Sequence, residues 1–324
     1  METVSKQRSL LLSVAGLVAS VAVTLLFLFR RKKKRQMRRV GAVSQLFLYP
    51  VKSCRGLALE EAECREYGLK NGQLKDRHWL VVKEDKVHVS AREEPRLVLI
   101  TATIDNDHLT LRAPEIDVLQ IPLELPKTNA VFTCKVHGHE VQGRDCGDEA
   151  SDWVTNYLKS SQAYRLVYFE DKMKTRNPKN EFSLYTESGQ VAYPDLAPYL
   201  VLSEASLENL NTKLENKVSN RNFRPNIVFS GCEAFAEDTW KEIQIGSQVI
   251  MKRVIPCFRC ILTTIDPDTG IINMMEPLKT LRSYRLCDTE DKKVFKSSPL
   301  FGQYFKMLKR GTIRVGDPVY EITD

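Results

Sequence analysis

Six short apolar runs, each bounded by turn residues, follow one another in the first half of the chain: VSQLFLYPV (43–51), HWLVV (78–82), KVHVSA (86–91), RLVLITATI (96–104), HLTLRA (108–113) and DVLQIPLEL (117–125). Runs of this length and spacing are typical of strands, and together they predict a twisted sheet or barrel. The first clear helix follows at 147–160, where acidic residues open the first turn and Ala150, Val154 and Leu158 share one face.

The second half of the chain mixes helix and strand signals. The polar stretch 170–182 lacks apolar periodicity and contains Asn-Pro, so it is predicted to be a loop or a domain boundary. Ser203 is predicted to cap a helix that carries leucines three and four residues apart. Strand signals then occupy 223–231, a hairpin over 241–254 and a closing strand over 312–322. The body is therefore predicted to have a mixed α+β fold.

The first 42 residues differ from the rest in charge and hydropathy. They carry ten Lys and Arg residues against the single acid Glu2, so the net charge of +7 comes from this segment and the remaining body is slightly acidic. A DNA-binding face is not expected in such a body. The uncharged segment 9–29 would form a helix of roughly 30 Å, about one hydrocarbon core. Because the basic segment 30–39 follows it, we predict a transmembrane anchor with the body facing the cytosol.

The eight cysteines are scattered along the chain and, in a reducing cytosol, are expected to be free thiols. The motif Cys257-Phe-Arg-Cys260 allows four interpretations. It could be half of a zinc site, a redox pair, a single reactive thiolate beside a guanidinium, or two cysteines packed as small apolar side chains. Its spacing alone does not choose between the last two.

The surroundings of this motif weaken the first two interpretations. A zinc site needs a second pair of ligands at similar spacing, which the chain does not offer. A redox pair would open a helix, whereas ILTTI (261–265) is rich in β-branched residues and predicts a strand. Arg259, with Lys252 and Arg253 near it in sequence, would favour a reactive thiolate at Cys260.

A second group of possible metal ligands is Cys134, His137 and His139. In an alternating strand the cysteine lies on the opposite face from the two histidines, so the three side chains would not converge. We therefore predict a surface hairpin at this place.

Cationic residues stand beside predicted turns at Lys52-Ser53, Asp76-Arg77 and Arg224-Pro-Asn226. Each lies next to a strand signal, and cations with hydroxyl or amide neighbours suit a phosphate-bearing ligand. They would form one site only if their strands lie side by side.

Several longer segments carry a family resemblance: YPVKSC (49–54), KDRHWLVV (75–82), RDCGDEASDWV (144–154), NFRPNIVFSG (222–231), PCFRCILTTIDPDTG (256–270) and SPLFGQYF (298–305). Together they closely resemble the mitochondrial amidoxime-reducing components, from about residue 43 to the C-terminus. The resemblance implies a transmembrane anchor over 1–42, a MOSC N-terminal β-barrel domain over 43–170 and a β-barrel-like MOSC domain over 171–324.

The resemblance also implies a molybdopterin-type molybdenum cofactor. The family's metal-binding cysteine corresponds to Cys260, which would be both the catalytic residue and the metal ligand, with Cys257 as its neighbour. The family's pterin and phosphate contacts correspond to Lys52, Ser53, Arg77, Arg224 and Asn226. The resemblance also implies that Arg259 lies beside the metal ligand and that Tyr304 lies near the cofactor.

The implied activity is the reduction of N-hydroxylated compounds such as amidoximes, hydroxylamines and N-hydroxyguanidines, with nitrite as a further candidate. The chain has no GxGxxG fingerprint for a flavin or nicotinamide, so its electrons must come from another protein. The resemblance implies cytochrome b5 and NADH-cytochrome b5 reductase, at the mitochondrial outer membrane. The endoplasmic reticulum or peroxisome membrane is an alternative location. A non-catalytic carrier of the cofactor and a membrane-tethered thiol or zinc adaptor are alternative functions.

Overall fold

A computed structural model describes residues 35–178, 189–287 and 291–323. Its strands, in chain order, are β1 Gln36–Leu48, β2 Leu57–Leu59, β3 Glu61–Arg65, β4 Gly68–Asn71, β5 Leu74–Lys75, β6 Trp79–Lys83, β7 Thr101–Asp105, β8 His108–Arg112, β9 Leu119–Pro122, β10 Val131–Val136, β11 His139–Asp145, β12 Tyr164–Tyr168, β13 Tyr199–Ser203, β14 Ile227–Ser230, β15 Glu242–Ile245, β16 Val249–Phe258, β17 Leu300–Lys309, β18 Gly311–Arg314 and β19 Pro318–Thr323. The helices are α1 Asp148–Leu158, α2 Glu204–Asn211, α3 Asn220–Phe223, α4 Leu278–Tyr284 and α5 Lys292–Phe295, and 3-10 turns lie at Pro95–Leu99, Ala236–Asp238 and Ile261–Thr264. Arg38–Ile322 form one compact unit.

Seven of these strands close into a barrel, in the order β14-β13-β17-β16-β15-β19-β1, with β1 pairing again to β14. Strands β13 and β14 run parallel, whereas β16 runs antiparallel to both of its neighbours. Closure leaves the ring without an exposed edge strand. Phe229, Trp240 and Phe305 are among the fully buried side chains of the core. The long strand β1, from the beginning of the body, therefore completes a barrel built mainly from the second half.

Three smaller sheets hold the other strands, in the orders β10-β11-β12-β6, β18-β3-β4-β5 and β7-β8-β9. Helix α1 packs against β12 and buries the predicted face of Ala150, Val154 and Leu158. Acidic residues occupy its first turn, where the helix dipole favours negative charge, and Lys159 ends it in a left-handed conformation.

Several local predictions are confirmed. Ser203 caps α2, because its side chain accepts a hydrogen bond from the Ser206 backbone N–H at 3.1 Å. The hairpin predicted over 241–254 is formed by β15 and β16, and Gly246 supplies the positive φ of 58° that its turn needs. The predicted loop 170–182 is described up to residue 178, and within it Arg176 forms an isolated bridge to Val191.

Two predicted strands are wrong because a turn interrupts each of them. Pro95 opens a 3-10 turn at the start of RLVLITATI, and only Thr101–Asp105 forms a strand there. The predicted closing strand over 312–322 is divided into β18 and β19, which belong to different sheets. Gly316 between them has a φ of 92°, and the Asp317 side chain accepts the Arg314 N–H at 2.7 Å.

Two further strand predictions are also wrong. KVHVSA (86–91) makes only isolated bridges, from Val87 to Lys135 and from His88 to Val82. ILTTI (261–265) contains a 3-10 turn, in which Thr263 and Thr264 donate their hydroxyls to carbonyls three residues earlier, at 3.0 and 2.8 Å. Such local bonds compete with strand pairing, and threonine's β propensity concealed them.

The predicted anchor segment 9–29 lies outside the described residues. Within 35–178, 189–287 and 291–323, no helix has the length and apolar character required to cross a bilayer. The described structure begins in strand β1, whose residues 38 and 39 belong to the basic segment, and Arg38 pairs there with Glu321 at 2.7 Å.

Candidate active site

A cavity of about 740 Å³ is lined by all eight residues that the sequence predicted for the site. They come from well-separated parts of the chain: Lys52 and Ser53 after β1, Arg77 before β6, Arg224 and Asn226 before β14, Arg259 and Cys260 after β16, and Tyr304 on β17. The turns beside different strands therefore do converge.

Three of these residues hold a left-handed backbone conformation. The φ angle is 71° at Ser53, 48° at Arg77 and 57° at Arg224. For residues other than glycine such a conformation costs on the order of 1–3 kcal/mol, and it is maintained only where the surrounding structure imposes it. Strain of this kind is concentrated at binding and catalytic sites in proteins.

Asp76, Arg77, Arg224, Asn226 and Tyr49 form a buried group that we call the Asp76 cluster. The Asp76 carboxylate pairs with the Arg77 guanidinium and accepts the Tyr49 backbone N–H at 2.8 Å. Burial raises the pKa of Asp76, while Arg77 and the N–H donors oppose that rise. The two guanidiniums stack on the Tyr49 ring, at 4.7 Å for Arg77 and 4.4 Å for Arg224.

The Asn226 side chain connects the parts of this cluster. Its Nδ2 group donates to Asp76 Oδ1 at 3.0 Å and to the Phe47 carbonyl at 3.2 Å. Its Oδ1 atom accepts from Arg77 at 3.1 Å and from the Leu200 N–H at 3.2 Å. Because these contacts use its amide fully, Asn226 acts in the protein as a support for Arg77.

The two sulfurs of the CxxC motif line the same cavity but differ in burial. Cys260 is partly exposed, whereas Cys257 is buried and its thiol is hydrogen-bonded to Tyr304. Burial raises the pKa of the Cys257 thiol, and Arg259 opposes that rise. Burial also keeps the pKa of Tyr304 well above its ordinary value. Cys260 is thus the sulfur that is open to a ligand.

The guanidinium beside Cys260 is not the predicted one. Arg92 donates to the Cys260 sulfur, with 3.8 Å between Nη1 and Sγ. Arg259 instead directs its Nε and Nη1 to the carbonyls of Phe301 and Phe223, at 2.7 and 2.9 Å. Its Nη2 is buried in the cavity wall without a hydrogen-bond partner in the described part of the chain.

The predicted proximity of Arg253 and Lys252 to Cys260 is also not found. Arg253 donates to the Asp238 carbonyl, Lys252 lies on β16 opposite Lys306, and neither lines the cavity. Lys252 and Arg253 are separated from Cys260 along the extended strand β16, in which each residue adds about 3.3 Å.

Lys52, Asp195 and His137 form a second charged group, the Asp195 cluster. Lys52 Nζ pairs with Asp195 Oδ1, and the same oxygen lies 3.0 Å from His137 Nε2. Burial lowers the pKa of Lys52 to about 8, against the opposing effect of Asp195. Burial alone would raise the pKa of Asp195, but Lys52 and His137 hold it well below its ordinary value.

Ser90, Arg92 and Asp195 also line the cavity and were not predicted. A signal for Arg92 was present, because Ser90-Ala-Arg92 ends an apolar run with a hydroxyl and a cation, as Lys52-Ser53 does. Asp195 had no such signal, since its loop is placed by Arg176, which donates to the carbonyls of Pro194 and Asp195.

The second group of possible metal ligands forms the predicted hairpin. Cys134 is buried on β10, and His137 lies in the turn that leads to β11. All eight cysteines are free thiols, as expected. Among the residues that the structure describes, no three His, Cys, Asp or Glu side chains form a group able to hold a metal ion.

Two family models match the chain, the MOSC N-terminal beta barrel domain over residues 40–161 and the MOSC domain over residues 188–320. The closed barrel and the cation-lined cavity with its accessible cysteine are accordingly those of a MOSC-domain protein.

Full-length relatives narrow this class. The chain is 54% identical to human mitochondrial amidoxime-reducing component 1 over 89% of its own length and 85% of the relative's. It is 53% identical to rat mitochondrial amidoxime reducing component 2, over 91% and 87% of the two chains. For Xenopus laevis mitochondrial amidoxime-reducing component 1 the identity is 50%, over 99% and 94%. The chain belongs to the family of mitochondrial amidoxime-reducing components.

Proposed function

We propose that this protein is a molybdenum-dependent reductase of N-hydroxylated compounds, with Cys260 as the metal ligand. Membership of a family whose members are named for amidoxime reduction supports this activity. The observation that carries the assignment of the site is the cavity itself. It presents one partly exposed sulfur among five cationic side chains, those of Lys52, Arg77, Arg92, Arg224 and Arg259, against the single carboxylate of Asp195.

The residues present fit a molybdopterin-type cofactor. A thiolate is the soft ligand that such a metal takes from a protein. The surplus of cations suits a phosphate group, and Phe223, Phe258 and Leu262 offer apolar surface to a flat ring system. The buried Nη2 of Arg259 lacks an acceptor, which costs on the order of 1–3 kcal/mol unless a ligand supplies one.

In the proposed mechanism the chain would bind and orient the cofactor and neutralise its phosphate charge. Cys260 would hold the metal, and Arg92 would keep that sulfur in position through its 3.8 Å contact. Lys52, Ser53, Arg77, Arg224 and Arg259 would hold the pterin and phosphate, and Asn226 would support Arg77. Tyr304 would keep the Cys257 thiol engaged and away from the metal. The cofactor supplies two-electron removal of oxygen from nitrogen.

The electrons are proposed to come from NADH through cytochrome b5 reductase and cytochrome b5. A transmembrane anchor over residues 9–29 would hold the body at the mitochondrial outer membrane, facing the cytosol. Sharing one membrane would raise the effective concentration of the three proteins. We also retain the division into an anchor over 1–42, a MOSC N-terminal domain over 43–170 and a MOSC domain over 171–324 as part of this proposal.

A matched pair of variants tests the function. Cys260→Ser should abolish NADH-driven reduction of benzamidoxime in a system reconstituted with cytochrome b5 and its reductase, because it removes the proposed metal ligand. Cys257→Ala should retain most of the activity, because that thiol is buried against Tyr304. Equal losses would show that the wrong sulfur has been chosen or that the pair acts together.

Metal analysis of the same purified proteins separates the alternatives. Molybdenum should be present in the wild type and in Cys257→Ala, and lost from Cys260→Ser. Zinc without molybdenum would favour the thiol or zinc adaptor. Molybdenum without benzamidoxime reduction would favour a carrier of the cofactor.

A further inference from the structure

We infer that His137, at the tip of the β10–β11 hairpin, delivers protons to the cavity through Asp195 and Lys52. The inference rests on the proposed reductase function and adds a residue that no sequence motif or family match assigned to it. In this arrangement His137 does not touch the substrate but acts through the two residues that line the cavity.

The geometry provides a continuous path. Lys52 Nζ and His137 Nε2 both contact the same oxygen, Oδ1 of Asp195, the latter at 3.0 Å. Lys52 and Asp195 line the cavity, whereas His137 lies outside its lining. The Lys52 side chain is 7% exposed and that of His137 26% exposed. A ligand that fills the cavity would cover Lys52 and Asp195 and leave His137 in contact with water.

The proposed reaction consumes protons, which must be supplied to the cavity. Reduction of an N–OH group breaks the N–O bond and forms one N–H bond and one O–H bond of water. It consumes two electrons, taken from the electron-transfer partner protein, and two protons, taken from solvent. Two protons must therefore reach the cavity at each turnover, and positioned side chains that exchange protons through hydrogen bonds can carry them.

The charges around the histidine suit this role. His88 packs edge-on against His137 with ring centroids 4.9 Å apart, and burial, Lys52 and His137 lower the pKa of His88 to about 3. It therefore stays neutral, while the guanidiniums of Arg92, which faces Asp195, and of Arg176 stay charged. Lys52 and His137 are thus the two nitrogen groups that share Asp195 Oδ1, and the proposed path runs between them.

The low pKa of Asp195 does not block the transfer. It is lowered by the positive charges of Lys52 and His137, so its basicity recovers when Lys52 gives its proton to the cavity. The carboxylate can then pass on a proton that it receives from His137 Nε2, and solvent replaces that proton on the histidine. With a pKa of about 8, Lys52 is poised to lose and regain that proton near neutrality.

A structural role of His137 would have different consequences from a relay. If the histidine only held Asp195 and Lys52 in position for an anionic ligand, its loss would lower the content of cofactor. If it passes protons, its loss would slow turnover of protein that remains fully loaded. The relevant variant is His137→Gln, which keeps a hydrogen-bond donor near Asp195 but cannot exchange protons.

The matched control is His108→Gln. His108 is a partly exposed histidine on β8 whose ring lies 2.8 Å from the Asn106 carbonyl, and it does not line the cavity. Molybdenum content is measured first in all proteins. Full-length, molybdenum-loaded protein is then reduced chemically and mixed with benzamidoxime in a single turnover, so that delivery of electrons by a partner does not limit the rate.

We expect His137→Gln to keep its molybdenum and to react about tenfold more slowly than wild type at pH 8. This factor is smaller than the usual loss of rate when a general acid is removed, because water replaces the histidine in part. The deficit should shrink towards pH 6, where solvent donates protons more readily. Added imidazole should restore the rate. His108→Gln should match the wild type throughout.

A second measurement does not depend on activity. In ¹⁵N-labelled loaded protein, the Nε2 proton of His137 bonded to Asp195 should give a resolved downfield resonance. It should disappear in His137→Gln and persist in His108→Gln.

Wild-type rates for His137→Gln at every pH would overturn the relay, as would parallel loss of molybdenum and activity without rescue by imidazole. Absence of this resonance from the wild-type spectrum would also overturn it. Failure of loaded wild type to reduce benzamidoxime would instead defeat the proposed function on which the relay rests.

Discussion

The Asp76 cluster and the Asp195 cluster border the same cavity, and each is built on a carboxylate paired with a cation. They differ in enclosure, because the Asp76 side chain is fully buried and that of Asp195 is 44% exposed. They differ also in the direction of the pKa shift. Burial dominates at Asp76 and raises its pKa, whereas Lys52 and His137 dominate at Asp195 and lower it.

This contrast indicates that the two clusters have different roles in one cavity, anion binding for the Asp76 cluster and proton transfer for the Asp195 cluster. In the Asp76 cluster each polar atom of Asp76 and Asn226 is used by the protein, two guanidiniums are fixed on Tyr49, and Arg77 and Arg224 are held in left-handed conformations. Such a preorganised group suits the binding of an anion, because little order remains to be gained when the ligand arrives. The Asp195 cluster contains a lysine with a pKa of about 8, joined through Asp195 to a histidine, and this arrangement suits the movement of protons.

The largest expected difference between the clusters is in stability. Asp76→Ala would leave the buried Arg77 guanidinium without its counter-ion and the Tyr49 N–H without its acceptor, so the free energy of unfolding should fall by about 3–5 kcal/mol. Asp195→Ala leaves Lys52 without its counter-ion, but the pKa of about 8 allows that lysine to release its proton, so the cost should be smaller than for Asp76→Ala. Urea unfolding of the purified proteins measures both values. Similar losses of unfolding free energy for the two variants would contradict the proposed difference between the Asp76 cluster and the Asp195 cluster.

An intermediate effect is expected on cofactor retention. Arg77→Lys keeps the charge but loses the stack on Tyr49 and the bonds to Asn226 and the Arg224 carbonyl, at 3.1 and 3.3 Å. We expect molybdenum retained after extensive dialysis to fall by about tenfold, which corresponds to ~1.4 kcal/mol of binding. Lys52→Arg, which preserves a charge in the Asp195 cluster, should retain more molybdenum than Arg77→Lys. Molybdenum per chain gives the comparison, and the reverse order would assign the anion-binding role to the wrong cluster.

The parts of the fold that follow local periodicity could be predicted from the sequence. Helix α1 and the Ser203 cap depend on residues three or four positions apart, and the β15–β16 hairpin depends on one glycine turn. RLVLITATI and ILTTI were misassigned because their β-branched composition concealed a proline start and two threonine hydroxyls that bond locally. The closure of the barrel by β1 could not be predicted, since its pairing with β14 joins residues more than 180 positions apart.

The candidate site shows the same limit. Its eight predicted residues meet in one cavity, but family resemblance, and not spacing, had selected them. The contact between Arg92 and Cys260 joins residues 168 positions apart, and the shared oxygen of Asp195 joins three segments. Burial and pairing across such distances are products of the fold, so a sequence that shows a cation beside a turn does not reveal which acid will face it.

The smallest expected effect concerns pH and follows from Lys52. Its pKa of about 8 in the folded protein means that it is charged at pH 7 and largely neutral at pH 9. Retention of an anionic cofactor should therefore fall over this interval, by at most about tenfold if Lys52 alone is responsible. Lys52→Arg stays charged and should show little change, whereas variants of the Asp76 cluster should keep the wild-type pH dependence. The measurement is molybdenum retained after dialysis at pH 7, 8 and 9.

The contribution of Lys52 to the stability of the cofactor-free protein should rise with pH, whereas cofactor retention falls. An unfolded lysine keeps its proton up to a pKa of about 10.5, so between pH 8 and 10.5 the unfolded state binds more protons than the folded state. Burial of an uncharged Lys52 then becomes easier, and its contribution to the free energy of unfolding rises with pH. The difference between wild type and Lys52→Arg isolates this contribution. If that difference stays constant across the interval, Lys52 remains charged in the folded protein and cannot donate protons in the Asp195 cluster.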